Sequence, residues 1–246
     1  MPLRVVVIVE GHGEDGAVRT LLERIWYELL GGDYIEVVPW RGKQGQLRQR
    51  ELLRPVVEAA AIKLHATERT DFRRLLLILI DSEGEECPAA VAPARTAWAR
   101  EVRSDAATEI ACVMPHPMFE TWFAAAAASL RGKNDLPGDL PKPDDPEGTG
   151  LGKAWMKQNL ARKYKETVDQ PRYVGHMSLT ECREASRSFR KLVAELEQRL
   201  PRPAPAGHDP DYGGWNRDGP ASGRFAVRWA KARSEYHCPG ATAWGR

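Results

Sequence analysis

The first thirty residues contain two hydrophobic patterns with different periods. Arg4 to Val9 is a run rich in β-branched residues without alternation, which predicts a strand covered on both faces, as in a parallel sheet. Asp15 to Leu30 carries apolar residues at helical spacing, which predicts an amphipathic helix that Gly31-Gly32 would end. The chain is therefore predicted to begin with a strand, a turn and a helix.

The same alternation continues to about residue 130. Further strands are predicted over residues 34–40, 75–80 and 109–114, and further helices over residues 47–64, 93–102 and 118–130. Because strands and helices alternate, the sequence predicts an α/β fold, a parallel sheet with crossover helices on its faces.

The composition of the chain changes after residue 130. Gly132 to Gly152 is crowded with Gly, Pro and Asp and is predicted to be a long loop. Helices are predicted over residues 153–165 and 180–200, the second capped by Ser178 or Thr180. We therefore divide the chain into a domain over 1–130, a loop and helical C-terminal region over 131–200, and an extended Pro/Gly-rich tail over 201–246.

Bulk composition narrows the classes of protein that the chain fits. Its 246 residues are 42% hydrophobic, and no apolar run is long enough for a signal peptide or a membrane span. The four cysteines lie far apart, without the paired spacing of a zinc site. We expect a cytoplasmic protein with no membrane partner.

The net charge of +2 conceals an asymmetry between the two halves of the chain. Residues 1–130 contain 15 Lys and Arg against 19 Asp and Glu, whereas residues 131–246 contain 21 against 15. An acidic half that attracts cations and a basic half that attracts anions suit a metal-dependent enzyme acting on a phosphate-rich polymer.

Carboxylates directly follow the two most apolar predicted strands. Glu10 follows the first strand, and Asp81 and Glu83 follow the strand over residues 75–80. Ligands of parallel α/β sheets bind at the carboxyl ends of strands, and clustered carboxylates repel one another unless a cation lies among them. Hard oxygen ligands favour Mg²⁺ or Mn²⁺. Taken singly, each acid is equally explained as a helix cap or a solvated turn.

These residues carry a resemblance to a known family. Val9-Glu10-Gly11-His12-Gly13-Glu14, followed some seventy residues later by Leu79-Ile80-Asp81-Ser82-Glu83-Gly84, resembles the acidic motifs of Toprim domains. Glu14 matches the second acid of the overcoming-lysogenization-defect (OLD) nucleases. The resemblance implies a Toprim, Rossmann-like sheet with metal ligands at Glu10, Glu14, Asp81 and Glu83, although Glu83 stands where aspartate is commoner.

A second segment extends the resemblance. Pro115 to Phe123, centred on Glu120, resembles a segment of small stand-alone Toprim-like proteins that are encoded beside ATPases and linked to phage defence. It implies an ATPase partner, and the resemblance to the OLD nucleases implies a second cation at Glu120 and a transition-state lysine at Lys153 or Lys157. The alternative for Glu120 is an acid that interacts with a helix N-terminus.

The segment over residues 153–165 is the most basic part of the C-terminal half. If helical, it would present a cationic surface to nucleic-acid phosphates, although such a run is also typical of a solvated helix face. The candidate nucleic-acid-binding residues are Lys153, Lys157, Arg162, Lys163 and Lys165.

Two functions compete at this point. The first is a Mg²⁺- or Mn²⁺-dependent nuclease that cuts DNA or RNA, with DNA favoured, and serves as the effector of an anti-phage system with a partner ATPase. The second is a Toprim-like binding or regulatory subunit of an ATPase complex, and the sequence leaves pairing with a second copy open. The candidate catalytic residues are Glu10, Glu14, Asp81, Glu83, Glu120 and Lys153.

Overall fold

The computed structural model of the protein describes residues 1–43, 45–83, 87–103, 105–148 and 152–201. A four-stranded, fully parallel sheet has the order β2-β1-β3-β4. The predicted parallel α/β fold is therefore confirmed. The strands are β1 (Leu3–Val9), β2 (Ile35–Arg41), β3 (Arg73–Leu79) and β4 (Glu109–Val113).

Helices cover both faces of the sheet within the described residues. Helix α1 (His12–Arg24) continues into a π-helical turn over Ile25–Leu29, and a 3₁₀ turn over Gln46–Arg48 precedes α2. The remaining helices of the N-terminal half are α2 (Arg50–His65), α3 (Pro88–Val102), α4 (Thr121–Ala125) and α5 (Ala127–Leu130). The later helices are α6 (Lys153–Asn159), α7 (Glu166–His176), α8 (Leu179–Ala185) and α9 (Arg187–Glu197).

Two hydrophobic cores lie on opposite faces of the sheet. Val5, Val7 and Val9 pack with α1 and with the helices after residue 120, whereas Val6 and Ile8 pack with α2 and α3. This alternation follows from the period of two residues in a strand. Residues 1–200 form one compact unit, so the larger core draws on both the 1–130 and the 131–200 segments.

The helices of the C-terminal half differ from those predicted. The helix predicted over 153–165 ends at Asn159, because Leu160 turns to an extended backbone and is buried. The helix predicted over 180–200 is divided at Ser186, which is also extended and caps α9. Helix α7 was not predicted, since Pro171 in its interior disfavours a helix. Ser178 caps α8, as predicted.

Several predicted features fall outside the described residues. These are the tail beyond residue 201, the end of the predicted loop at residues 149–151, and Gly84 of the second acidic motif. In the part of the chain that is described, no helix is long and apolar enough to cross a membrane.

Glu147 anchors the N-terminus of α9 through a buried carboxylate. Its Oε1 accepts hydrogen bonds from the Ser188 N–H, the Ser188 hydroxyl and the Ser186 hydroxyl, each at 2.7 Å, and Oε2 accepts one from Arg187 at 3.2 Å. Burial raises the pKa of Glu147, but these hydrogen bonds outweigh it and lower the pKa below its ordinary value. The charged form therefore stabilises the fold.

Replacing this carboxylate is expected to make the free energy of unfolding less dependent on pH. A lowered pKa contributes stability above the ordinary glutamate value near 4.5, and this contribution is lost as pH falls through the folded-state pKa. Glu147→Gln should cost about 2 kcal/mol at pH 7 and less at pH 3.5, measured by urea unfolding. Exposed Glu184 offers the control Glu184→Gln, and an equal loss for Glu147→Gln at both pH values would contradict the charge effect.

Candidate metal centre

Strand alternation directs the two strand-end acids to opposite faces of the sheet. Strands β1 and β3 are neighbours, so Glu10 and Asp81 lie at the same sheet edge, at the point where strand order reverses. Ile8 and Ile80 both pack on the α2 face. Glu10, two residues after Ile8, therefore follows the α2 face, and Asp81, one residue after Ile80, follows the α1 face.

On the α2 face, Glu10 and Glu83 share one guanidinium. Arg48 Nη2 lies 3.7 Å from Glu10 Oε2 and 3.3 Å from Glu83 Oε1, and it donates to the Asp81 carbonyl at 2.9 Å. The Gly45 N–H also donates to Glu10 Oε1 at 3.1 Å. We call Glu10 and Glu83 the arginine-bridged pair, because Arg48 supplies positive charge to both.

On the α1 face, three carboxylates form what we call the acidic cluster: Glu14, Asp81 and Glu120. Glu14 lies in the first turn of α1, where its Oε2 accepts a hydrogen bond from the Gly11 N–H at 3.1 Å. Asp81 Oδ1 accepts one from the Phe119 N–H at 2.8 Å. Each backbone bond fixes one oxygen of a carboxylate.

Glu120 is the most buried acid of the cluster, with none of its surface exposed. Its Oε1 accepts hydrogen bonds from the Tyr164 hydroxyl and from Gln170 Nε2, both at 3.0 Å. Its Oε2 is buried and has no hydrogen-bond partner among the described residues. A buried carboxylate oxygen without a partner costs free energy, so this atom points to a missing donor or cation.

Burial raises the pKa values of all three acids, and neighbouring negative charges add to the rise for Glu14 and Asp81. Burial raises the pKa of Glu14 to about 7, and the charges of Glu120 and Glu10 add to this rise. Burial, followed by the charges of Glu14 and Glu120, raises the pKa of Asp81 well above its ordinary value. Burial also raises the pKa of Glu120. Like charges in a buried site therefore favour either bound protons or a bound cation.

Lys153, at the start of α6, supplies positive charge to the acidic cluster. Its Nζ lies 3.0 Å from Glu166 Oε1. Burial opposes the charge of Lys153, but the bond to Glu166 and the charges of Glu120 and Asp81 raise its pKa. Lys153 in turn lowers the pKa values of all three cluster acids. One ammonium is thus shared among several carboxylates.

The donor set of the acidic cluster is of the type that Mg²⁺ and Mn²⁺ prefer, since it consists of carboxylate oxygens. The unpartnered Oε2 of Glu120 and the raised pKa values of Glu14 and Asp81 fit a cation among them. Within the described ranges, no three histidine, cysteine, aspartate or glutamate side chains already converge in the spacing of a formed metal site. The carboxylates would therefore have to move closer together to bind a cation.

The basic segment over residues 153–165 is only partly available to a ligand. Arg162 forms a bidentate pair with buried Asp169 at 2.6 and 2.9 Å and also contacts Asp135. Trp155 and Tyr164, the aromatic residues of this segment, are buried. The remaining candidates are the exposed residues Lys157, Lys163 and Lys165.

Three residues of the site were not predicted from the sequence: Arg48, Tyr164 and Gln170. Arg48 belongs to the loop after β2, whose carboxyl end lies beside that of β1, so its position after a strand was an available signal. Tyr164 lies between two lysines of the basic segment, a setting that does not predict a bond to a buried acid. Gln170 lies in α7, the helix that was not predicted, so nothing in the sequence pattern pointed to it.

The fold and the site together define a parallel α/β protein with buried acids at the carboxyl ends of its strands, near the topological switch point. Residues 9–197 match the family described as "Domain of unknown function (DUF4276)", and the chain belongs to this family. The matched span contains every candidate site residue. Neither the curated proteins nor the solved structures gave a match.

Proposed function

We propose that this protein is a Mg²⁺- or Mn²⁺-dependent nuclease that hydrolyses DNA phosphodiesters at the acidic cluster. The observation that supports this most directly is Glu120 Oε2, which is buried and unpartnered in the described structure, near Glu14 and Asp81, whose pKa values the charge of Glu120 helps to raise. The adjacent Lys153 adds a positive charge suited to a phosphate group.

Each residue has a distinct role in this proposal. Asp81 and Glu120 would bind the cation, and Glu14, held through Oε2 by Gly11, would orient the attacking water with Oε1. A bound divalent cation supplies Lewis acidity and lowers the pKa of a coordinated water. Lys153 would offset the negative charge that develops on the phosphate, and its bond to Glu166 fixes its direction.

The proposed biological setting follows from the resemblance to Toprim-like proteins. We propose that the nuclease is the effector of an anti-phage system, works in the cytoplasm and is controlled by a partner ATPase. Glu10 and Glu83 would then act through Arg48, as a positioning pair beside the cation rather than as its direct ligands.

A second candidate function is a binding or regulatory subunit without catalysis. It is favoured by the counter-charges already present, because Arg48 bridges Glu10 and Glu83 and Lys153 acts on the acidic cluster. Acids that are balanced by internal cations need no metal to remain in a fold. This candidate predicts an ATPase complex that does not depend on divalent cations.

Cleavage of supercoiled DNA separates the two candidates. The purified protein is incubated with Mg²⁺, with Mn²⁺ or with EDTA, alone and with a candidate partner ATPase, and compared with Asp81→Ala and Glu10→Ala. We expect cation-dependent cleavage that Asp81→Ala abolishes and Glu10→Ala weakens by about tenfold, since Glu10 contacts Arg48.

The outcomes of this assay are mutually exclusive. Cleavage by the wild type that disappears in EDTA and in Asp81→Ala would support the nuclease. If the wild type leaves DNA intact even with the ATPase present, while complex formation survives EDTA, the binding role is favoured. Cleavage that persists in Asp81→Ala would assign the activity to a contaminant or to another site.

A further inference from the structure

The loop after β2 is bonded to the edge of the sheet where the acids lie. The Gly42 N–H donates to the Val9 carbonyl at 2.9 Å, and the Gly45 N–H donates to Glu10 Oε1 at 3.1 Å. Arg48, at the far end of the loop, donates to the Asp81 carbonyl at 2.9 Å. Three hydrogen bonds therefore hold this loop against the carboxyl ends of β1 and β3.

The outer part of this loop carries positive charge that no acid balances in the described structure. Arg41 and Lys43 are both exposed, and neither forms an ion pair with a carboxylate of the described residues. Arg41 instead contacts the ring of His12, the first residue of α1. A guanidinium that donates to an imidazole retains its full charge, so the patch is available to an anion.

The position of Arg41 is fixed by the register of the sheet. Arg41 pairs with Val9, the residue before Glu10, and paired residues of a parallel sheet share a face. Val9 packs on the α1 face, which is also the face of the acidic cluster. Arg41 and Lys43 are therefore on the β2 flank of that cluster.

A second cationic surface reaches the same cluster from a different element. Lys153 acts on Glu120 and Asp81 from the start of α6, and exposed Lys157 follows one turn later. The segment continues with Lys163 and Lys165, also exposed. The acidic cluster thus has exposed cations contributed by the β2 loop and by the α6 segment.

We propose that Arg41 and Lys43 bind backbone phosphates of DNA on the β2 flank of the acidic cluster, while Lys157, Lys163 and Lys165 bind them on the α6 flank. This inference rests on the proposed function and deepens it. Cations on two flanks of a cleavage site match phosphates on both sides of the scissile bond. The substrate is then an internal stretch of a DNA chain, and a mononucleotide or a terminal phosphate would engage only one flank.

Binding of a fluorescein-labelled DNA duplex in EDTA, followed by anisotropy over a range of NaCl concentrations, tests this surface without cleavage. Each lost phosphate contact should reduce the slope of log affinity against log salt by about 0.9. We expect such a decrease, with a severalfold loss of affinity, for Arg41→Gln and separately for Lys43→Gln. Lys157→Gln should behave in the same way.

Lys63→Gln is the matched control for Lys43→Gln. Lys63 is exposed in the last turn of α2, where its carbonyl accepts a hydrogen bond from Arg4 at the opposite edge of the sheet. Its removal changes the net charge equally but should leave the slope unchanged. Lys43 has an exposed side chain without a described structural contact, so its variant should fold like the wild type.

Several outcomes would overturn the proposal. These are slopes for Arg41→Gln and Lys43→Gln equal to that of Lys63→Gln, absence of DNA binding by the wild type, or displacement of the duplex by poly-glutamate at equal charge concentration. Failure of the nuclease is distinguishable, because DNA could bind through Arg41 and Lys43 yet remain uncut in Mg²⁺. Reduced slopes with no cleavage would support this surface and count against catalysis.

Discussion

Replacing Asp81 with asparagine is expected to lower the affinity for Mg²⁺ by at least about 100-fold. Loss of a residue that supports a metal ligand lowers metal affinity about 10- to 100-fold, so loss of a direct carboxylate ligand should lower the affinity at least as much. Asparagine keeps the size of the side chain and an oxygen that can accept from the Phe119 N–H. The change therefore removes the negative charge and keeps the local structure. Isothermal titration calorimetry measures the Mg²⁺ affinity of both proteins.

The same variant should be more stable than the wild type in EDTA. The charges of Glu14 and Glu120 raise the pKa of Asp81, which means that three clustered carboxylates destabilise the cation-free fold. Thermal unfolding should therefore show a higher Tm for Asp81→Asn in EDTA and a smaller rise on adding Mg²⁺. A variant that is merely misfolded would be less stable in both conditions.

The pH dependence of Mg²⁺ binding provides a further check of this prediction. Because the pKa of Glu14 is raised to about 7, this acid contributes stability below its ordinary value near 4.5 that is lost as pH rises through 7. A cation beside Glu14 favours the charged form of this acid, so binding below pH 7 must displace its proton, and affinity should fall about fivefold from pH 7 to pH 6. Stabilisation by Mg²⁺ should accordingly be larger at pH 8 than at pH 6.

Asp33→Asn is the matched control for these measurements. Asp33 is exposed and precedes β2, at the amino end of the strands, so its replacement changes charge equally away from the cluster. Mg²⁺ affinities that are equal in Asp81→Asn and Asp33→Asn would contradict a cation site at Asp81. An unchanged Tm for Asp81→Asn in EDTA would contradict the repulsion inferred among the three acids.

The strands of the sheet were predictable because their burial leaves a strong mark on the sequence. Residues 4–9 and 75–80 are almost wholly apolar, as expected for strands covered on both faces, and they form the central pair β1 and β3. Their carboxyl ends therefore also identified Glu10 and Asp81 as residues of one sheet edge. This part of the site follows from periodicity alone.

The grouping of the acids was not predictable from their positions after strands. The acidic motifs predict one cation held by Glu10, Asp81 and Glu83. In the structure, Glu10 and Glu83 contact Arg48, whereas Asp81 interacts with Glu14 and Glu120. The alternation of strand side chains could have separated these acids. Ile8 and Ile80 lie on the same face, and Glu10 comes two residues after Ile8, whereas Asp81 comes one residue after Ile80. Whether these five acids bind one cation, two or none stays a prediction.

The helical half resisted prediction because tertiary contacts override local pattern. The sequence over 153–165 has good helical spacing, but burial of Leu160 and the bond from Tyr164 to Glu120 favour an extended chain after Asn159. Helix α7 contains Pro171, which locally disfavours a helix, yet it packs extensively against α1. Packing against α1 stabilises α7 more than Pro171 weakens it.

Replacing Gly13 with alanine is expected to destabilise the protein and to disrupt the acidic cluster together. A Cβ at Gly13 would lie 2.3 Å from Gln170 Oε1 and 2.9 Å from the Glu166 backbone carbon, so α7 must move away from α1. Overpacking of this kind costs about 1–3 kcal/mol. Local helix propensity acts in the opposite direction, since alanine in a helix is favoured over glycine by up to about 1 kcal/mol.

The movement of α7 connects this packing to the proposed chemistry. Gln170 donates to Glu120 Oε1, and Glu166 contacts Lys153, so a displaced α7 would release both the buried acid and its neighbouring ammonium. Gly13→Ala should therefore lower Mg²⁺ affinity about tenfold as well as the free energy of unfolding.

Gly175→Ala separates the effect of packing from that of helix propensity. Gly175 lies in α7, and a Cβ there would meet nothing within 4 Å, so this variant should be as stable as the wild type or up to about 1 kcal/mol more stable, with unchanged Mg²⁺ affinity. If Gly13→Ala behaved like Gly175→Ala in urea unfolding, α1 and α7 would not be in the close contact described. If it lost stability but kept full Mg²⁺ affinity, Gln170 and Glu166 would be structural residues only, and the acidic cluster would have to bind its cation without support from α7.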